Sequence, residues 1–412
     1  MSRIPRPVWL LGWASLFTDA ATEMIYPLLP MYLSRVLGAG ALSLGIIEGV
    51  AEAINSVLKI GSGYFSDRWT KRRPIVIAGY SISTVTRPLI AFTSIWPQVL
   101  LIRALDRTGK GIRGAPRDAM LAQFAPEGER GHIFGFHRAM DHTGAIVGPL
   151  IAAAVLFLAP GEYRLVFALT IIPGAIAVAL LFLVPEAAGP AAAGSSSAAE
   201  TRPTYVGRVP PSQREPALGG PAGMGAERLP RRLLAFFAVL LLFSLGNSAD
   251  AFLLLRLSDE LGSVTYIPLL WAGLHVVKAS LSTWGGGLSD RLGRKRVIVL
   301  GWVVYAAVYA GFAVATDATV FVALFFMYGI YFALTEGAEK ALVADLAPVA
   351  RRGTAFGLYN AALGLGALGA SVGFGLLYER VSAAAAFGTG AAVAALAAGL
   401  LVMVPTSRQL SS

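Results

Sequence analysis

Asp19 and Glu23 stand one helical turn apart in the apolar stretch FTDAATEMIYPLLP, just ahead of Tyr26, Pro27 and Pro30. A carboxyl in apolar surroundings can load and release a proton in the physiological range, so both are candidates for proton coupling; structural pairing with an arginine is the competing reading. Further along, Arg103, Asp106, Lys110, Arg113 and Arg117 recur at alternating steps of three and four residues, which sets them on one helix face with Arg107 at its edge. Glu48, Glu52, Asn55 and Lys59 make a similar stripe earlier in the chain. Arg103, Arg107, Lys110 and Arg113 outnumber Asp106, so that face suits a substrate with an anionic group. Asp141 follows His137 at helical spacing and His142 follows Arg138 likewise; with Asp250 and His275 these are the groups a divalent cation would need. No helix carries a ligand pair of a known metal-binding pattern, so neither a metal nor any other cofactor is expected. Asn247 and Glu336 complete the candidate lining of a substrate cavity. The chain has four histidines and no cysteine. No nucleophile stands with a base and an orienting group, so it does not read as an enzyme.

Such charges need elements that keep them out of lipid, because lipid is the solvent the composition calls for. Of 412 residues 56% are hydrophobic and 14% charged, more apolar surface than a soluble domain of this length hides from water. Apolar runs of roughly 18 to 27 residues, each long enough to cross a hydrocarbon core of about 30 Å, predict twelve helices. They fall near 8–35, 41–66, 73–93, 96–122, 131–158, 163–185, 231–258, 264–288, 296–315, 319–345, 354–378 and 383–404. The first is read as a retained span rather than a signal peptide, since it runs on too far and no small-residue cleavage site precedes its charges. The net charge of +10 is distributed for topology and not for nucleic acid. Arg3, Arg6, Arg68, Lys71, Arg72, Arg73, Arg291, Arg294, Lys295 and Arg296 share one side, whereas Arg35, Arg164, Arg256 and Arg380 lie on the other. That bias predicts both termini in the cytoplasm. Residues 186–230, rich in Ala, Gly, Pro and Ser, are expected to be a flexible cytoplasmic linker between halves 1–185 and 231–412.

The halves repeat each other. GYFSDRWTKRR at 63–73 answers GGLSDRLGRKR at 286–296, and APEGERGHIFG at 125–135 answers APVARRGTAFG at 347–357 at nearly the same offset. An even number of spans per half predicts one shared orientation, with an axis along the membrane normal. The chain resembles the major facilitator superfamily of secondary transporters: the loop pattern of that family is matched by Gly286, Leu288, Asp290, Arg291, Gly293, Arg294 and Lys295. The first copy keeps Gly63, Asp67, Arg68, Lys71 and Arg72, with Phe65 and Thr70 where Leu and Gly are usual.

The resemblance implies an all-α membrane protein of twelve helices in two pseudo-symmetric halves, working by alternating access on a small-molecule solute. Gly63, Asp67, Arg68, Gly286, Asp290 and Arg291 then belong to the gate, where an aspartate meets the positive end of a helix in the opposite half. Gly135, Gly144, Gly148 and Pro149 resemble the antiporter signature of the family, with Ala152 and Ala153 in place of its closing glycines. Glu339 and Lys340 stand where Arg117 and Asp118 stand in the first half, with signs reversed. These residues are candidates for a charge gate between the halves, pairing with lipid phosphates or within one half being the alternative. The expectation is a monomeric, proton-coupled exporter of a small polar or amphiphilic solute in the inner, plasma membrane. An uptake symporter for an organic anion, a divalent-cation exporter and a multidrug exporter are the alternatives; a membrane-embedded enzyme or receptor fits least.

Overall fold

A computed structural model describes residues 4–66, 71–125, 130–186, 229–348 and 352–405. The expected linker, all but its ends, lies outside the described residues, as do Asp67 and Arg68 of the first gate motif. Among the described residues every regular element is helical.

Helix α1 runs Arg6–Ile25 and continues through single turns to Val36, with a 3-10 turn at Tyr26–Leu28 and a π turn at Tyr32–Val36, where Pro27 and Pro30 deny the regular ladder its donors. It is followed by α2 (Ala41–Ser66), α3 (Arg73–Thr86, extended by a 3-10 stretch Arg87–Phe92 that begins beside Pro88), α4 (Trp96–Phe124), α5 (Arg130–Leu158) and α6, split at Thr170 into Tyr163–Leu169 and Ile171–Phe182. Helix α7 is also in two pieces, Arg231–Gly246 and Ala251–Leu261. Then come α8 (Ile267–Leu292), α9 (Arg294–Val314), α10 (Ala318–Leu346), α11 (Arg352–Arg380) and α12 (Ala383–Met403). The twelve predicted spans therefore each find a helical segment. Among the described residues nine segments are long and apolar enough to cross a membrane by length and composition alone; α1, α4 and α8 are not among them. The first two carry the Asp19/Glu23 pair and the stripe of charges, so their apolarity is diluted where the chemistry is concentrated.

Three glycines explain local geometry that no other residue allows. Gly293 joins α8 to α9 with φ of 89°, a single-residue turn from the left-handed region of backbone space. On α5, a Cβ at Gly144 would strike the carbonyl oxygen of Leu16, and one at Gly148 that of Ala20, so α5 lies backbone to backbone against α1. That seat fixes the turn of α1 carrying Asp19. Gly148→Val is expected to push the helices apart at an over-packing cost of about 1–3 kcal/mol, read as a lower melting temperature of purified protein. An unchanged melt would mean that α1 yields freely there.

The core is aromatic in the second half: Trp302, Tyr305, Tyr309 and Phe312 on α9 are fully buried, with Phe243 stacked on Trp302 at 4.2 Å between ring centroids. Hydrogen bonds and ring contacts joining the first six helices to the last six, among the described residues, share one end of the bundle. Arg35 Nη2 donates to the Ser258 carbonyl (3.0 Å), and Glu379 accepts from the Leu42 amide (2.9 Å) at the N-terminus of α2. The rings of Phe157 and Tyr266 meet at 6.1 Å, and Glu23 and Tyr26 both reach Trp271. The bundle is thus latched at the end that carries the 37–40 connection.

Candidate functional site

A cavity of about 570 Å³ lies between the halves. Its walls come from α1 (Tyr26), α2 (Glu48, Glu52, Asn55), α4 (Arg107, Lys110), α10 (Tyr331, Phe332, Thr335, Glu336, Glu339) and α11 (Tyr359, Leu363). The remaining wall is the interruption of α7, residues 247–250. A continuous helix over 231–258 is the expectation from apolarity; the chain instead breaks at Asn247-Ser248-Ala249-Asp250. Asn, Ser and Asp are residue types whose side chains compete with the helical backbone for hydrogen bonds. The opened backbone is held by tyrosines. Tyr305 Oη donates to the Gly246 carbonyl (3.0 Å), Tyr309 Oη meets Ser248 Oγ (3.0 Å), Asn247 Nδ2 donates to Tyr331 Oη (3.1 Å) and Tyr328 Oη donates to Asp250 Oδ1 (2.7 Å). Lys278 Nζ lies 3.5 Å from the other Asp250 oxygen.

Helix α4 does not present its charges as one cavity stripe. Arg103 Nη2 binds Glu48 Oε1 at 2.7 Å and reaches Asp106 at 3.9 Å, while Asp106 Oδ1 accepts from Arg87 Nε at 2.9 Å. Arg87 also donates to the Thr18 carbonyl at 3.0 Å, tying α3 to the turn of α1 beside Asp19. Arg113 points away from the cavity, donating to Ser83 Oγ (3.0 Å) and stacking over the Tyr80 ring at 4.2 Å. Arg103, Asp106 and Arg113 are thus consumed by a buried network. Arg107 and Lys110 are the cations of α4 that line the cavity, so an anionic group would meet them and not Arg113.

Asp19 and Glu23 differ in their surroundings. Glu23 Oε2 accepts from the indole Nε1 of Trp271 on α8 at 2.7 Å, and the Tyr26 ring lies 5.1 Å from that indole. Asp19, half-buried, has neither a hydrogen bond nor an ion pair to a described residue. Its next turn back, Ser15 Oγ, donates to Asp141 Oδ1 at 2.5 Å and accepts from Arg117 Nη1 at 3.3 Å. Asp141 is further held by His137 Nδ1 at 3.5 Å, so it stands with α1 and outside the cavity. His275 packs edge-on against Trp271 with ring centroids 4.9 Å apart. His142 lines a second cavity of about 600 Å³ between α5, α8 and α10, together with Arg138, Glu336 and Lys340. Among the described residues no three His, Asp or Glu converge on one point.

The charge gate does not form in this conformation. Arg117 bonds its own neighbour Asp118 at 2.9 Å, and Lys340 bonds Glu336 at 3.1 Å. Glu339 turns into the cavity, where Trp302 Nε1 and Tyr359 Oη donate to its two oxygens at 3.1 Å each. In this conformation these four side chains bond within their own half. Gly63, Gly135, Gly286 and Asp290 are described as backbone of α2, α5 and α8; Arg291 is exposed in the last turn of α8.

A profile of the Major Facilitator Superfamily matches residues 11–257 and again 235–411, nearly the whole chain. The chain belongs to the Major Facilitator Superfamily. It is 32% identical to an uncharacterized transporter of this type from Methanocaldococcus jannaschii, over 91% of this chain and 89% of that protein. A protein of Cupriavidus pinatubonensis designated a probable 4-methylmuconolactone transporter is 25% identical over 92% of this chain and 84% of its own length. The fold is that of the nucleoside transporter NupG, with a TM-score of 0.75 at 14% identity over 97% of this chain and 100% of that structure. This facilitator is therefore a multi-pass membrane protein and a secondary transporter. Sequence reasoning passed over several groups of its cavity and its network: Arg87, Trp271, Lys278, Trp302, Tyr331 and Tyr359. The signal for Arg87 and Lys278 was available, since a lone base inside an apolar run implies a buried partner. The aromatic residues carried none, because an indole or phenol in a membrane helix reads as core until its donor finds a carboxylate.

Proposed function

We propose that the protein is a proton-coupled exporter, an antiporter that moves a small polar or amphiphilic solute by alternating access across the plasma membrane, with both termini in the cytoplasm. The observation that carries this reading is the hydrogen bond from Trp271 to Glu23, because it makes one carboxylate part of the contact between the halves. Ionised, Glu23 is a strong acceptor and favours the latched end; protonated, it is a weaker acceptor and releases the indole. Asp19, one turn away and without a hydrogen bond or close ion pair to a described residue, could exchange that proton with Glu23 or with the open side. The packing of Gly144 and Gly148 against Leu16 and Ala20 supports the antiporter reading, since it holds this turn of α1 rigidly while the rest of the half rocks.

The test is flux in proteoliposomes of the purified protein, with an imposed pH gradient and a panel of labelled solutes. Export by antiport predicts solute movement opposite to the proton, with each pH unit worth about tenfold in accumulation if one proton moves per solute. Movement in the same direction as the proton would replace antiport by uptake symport. Asp19→Asn is expected to slow gradient-driven movement while sparing exchange of labelled for unlabelled solute, which needs no net proton transfer. Equal slowing of both would make Asp19 a structural residue.

A further inference from the structure

Two charged side chains on different walls of the cavity have no direct ion pair among the described residues. Arg107 is 8% exposed, lines the cavity, and forms no hydrogen bond or ion pair with a described residue; its Nε is buried and unpartnered. The acids closest to it in sequence and space are already engaged. Asp106 is bound by Arg87 at 2.9 Å and Glu48 by Arg103 at 2.7 Å, while Glu52 accepts from Asn55 at 3.2 Å. A guanidinium with free forked donors fits a carboxylate or phosphonate with two parallel bonds. Across the cavity, Glu339 is 5% exposed and, among the described residues, accepts from two neutral donors, the indole of Trp302 and the phenol of Tyr359. The cations near it in sequence are committed elsewhere, Lys340 to Glu336. A buried carboxylate with hydrogen bonds but no countercharge is only partly compensated, and the rings of Tyr331, Phe332 and Tyr359 on the same walls offer faces that suit an ammonium.

We propose that the substrate is a zwitterion, its anionic group held by Arg107 and its ammonium group by Glu339. The assignment rests on the reading of this cavity as the transport site. It differs from the purely anionic substrate suggested by the bases of α4, of which Arg103 and Arg113 are held in the buried network. Two opposite charges bound at once also explain selectivity: a molecule with either charge alone leaves one of these buried side chains desolvated and unpaired. The cavity volume, about 570 Å³, is in the range that encloses a small organic molecule.

The experiment uses the purified full-length protein in lipid nanodiscs and equilibrium binding by calorimetry, with three matched probe series. These are straight-chain ω-amino carboxylates of increasing length, the same carboxylates without the amine, and the same amines without the carboxylate. At one length or more the zwitterion should bind about tenfold or more tightly than either single-charge analogue. Glu339→Gln should remove its advantage over the carboxylate and leave carboxylate binding unchanged; Arg107→Gln should remove its advantage over the amine and leave amine binding unchanged. If the amide variants do not fold, the wild-type comparison and Glu339→Asp decide, the latter keeping the preference for zwitterions but moving it to a longer chain. Equal binding of zwitterion and carboxylate, or of zwitterion and amine, at every length overturns the assignment, as does an absence of binding throughout the series. Zwitterion preference without flux in liposomes would sink the transport reading and leave the site; pH-driven flux of another solute without the preference would do the reverse.

Discussion

Glu23→Gln is expected to abolish the link between solute accumulation and the pH gradient. In wild-type proteoliposomes a one-proton antiport gives an accumulation ratio that changes about tenfold per pH unit, since a pH unit is worth about 1.36 kcal/mol per proton; the variant should hold a ratio of about one at every gradient. The glutamine amide keeps the size of the carboxyl but offers the Trp271 indole, now 2.7 Å from Glu23, only a neutral oxygen, as the protonated acid does, so the bond between α1 and α8 is weakened at every pH while the fold is kept. What disappears is the titrating proton. Counterflow at equal pH should therefore persist, and that combination separates lost coupling from lost folding. Trp271→Phe removes the donor and keeps the proton site: coupling should weaken, with the latched end opening more often and with less dependence on pH, as read by accessibility of a cysteine introduced near Arg35 in a chain that has none of its own. A Glu23→Gln protein that still concentrates solute in step with the pH gradient would move the proton site away from Glu23.

Arg87→Met is expected to produce the largest loss of stability. Asp106 is 2% exposed and takes its short ion pair, 2.9 Å, from Arg87; Arg103 is 3.9 Å away and already bound to Glu48. Stranding one member of a buried pair costs about 3–5 kcal/mol, whereas removing both charges together is close to neutral. Arg87→Met should therefore lower the melting temperature sharply in detergent, and Arg87→Met with Asp106→Asn should recover most of the fall. If the double variant melts below the single one, Arg87 stabilises the fold through its bond to the Thr18 carbonyl and not through the ion pair.

Hydrophobic run length and repeat were enough to lay out twelve helices and two like halves, because the cost of exposing peptide groups to lipid leaves the backbone no other solution. The positions of Asp19 and Glu23 on one face of α1 also follow from spacing alone. Partner choice does not. The stripe Arg103, Asp106, Lys110, Arg113 and Arg117 is a property of one helix, and spacing cannot say that Arg87 on α3 takes Asp106, that Glu48 on α2 takes Arg103, or that Arg113 turns to Tyr80. The sign reversal between Arg117 and Glu339 suggested a pair, yet Glu339 faces Trp302 and Tyr359 while Arg117 keeps Asp118. The interruption at 247–250 was written in Asn, Ser and Asp, but its stability depends on four tyrosines from α9 and α10 that the tertiary fold alone brings to the broken ends. Burial in lipid is a property of each segment and is legible along the chain. Charge compensation is a property of pairs of segments, and only packing decides which of several equally spaced carboxylates each base will meet.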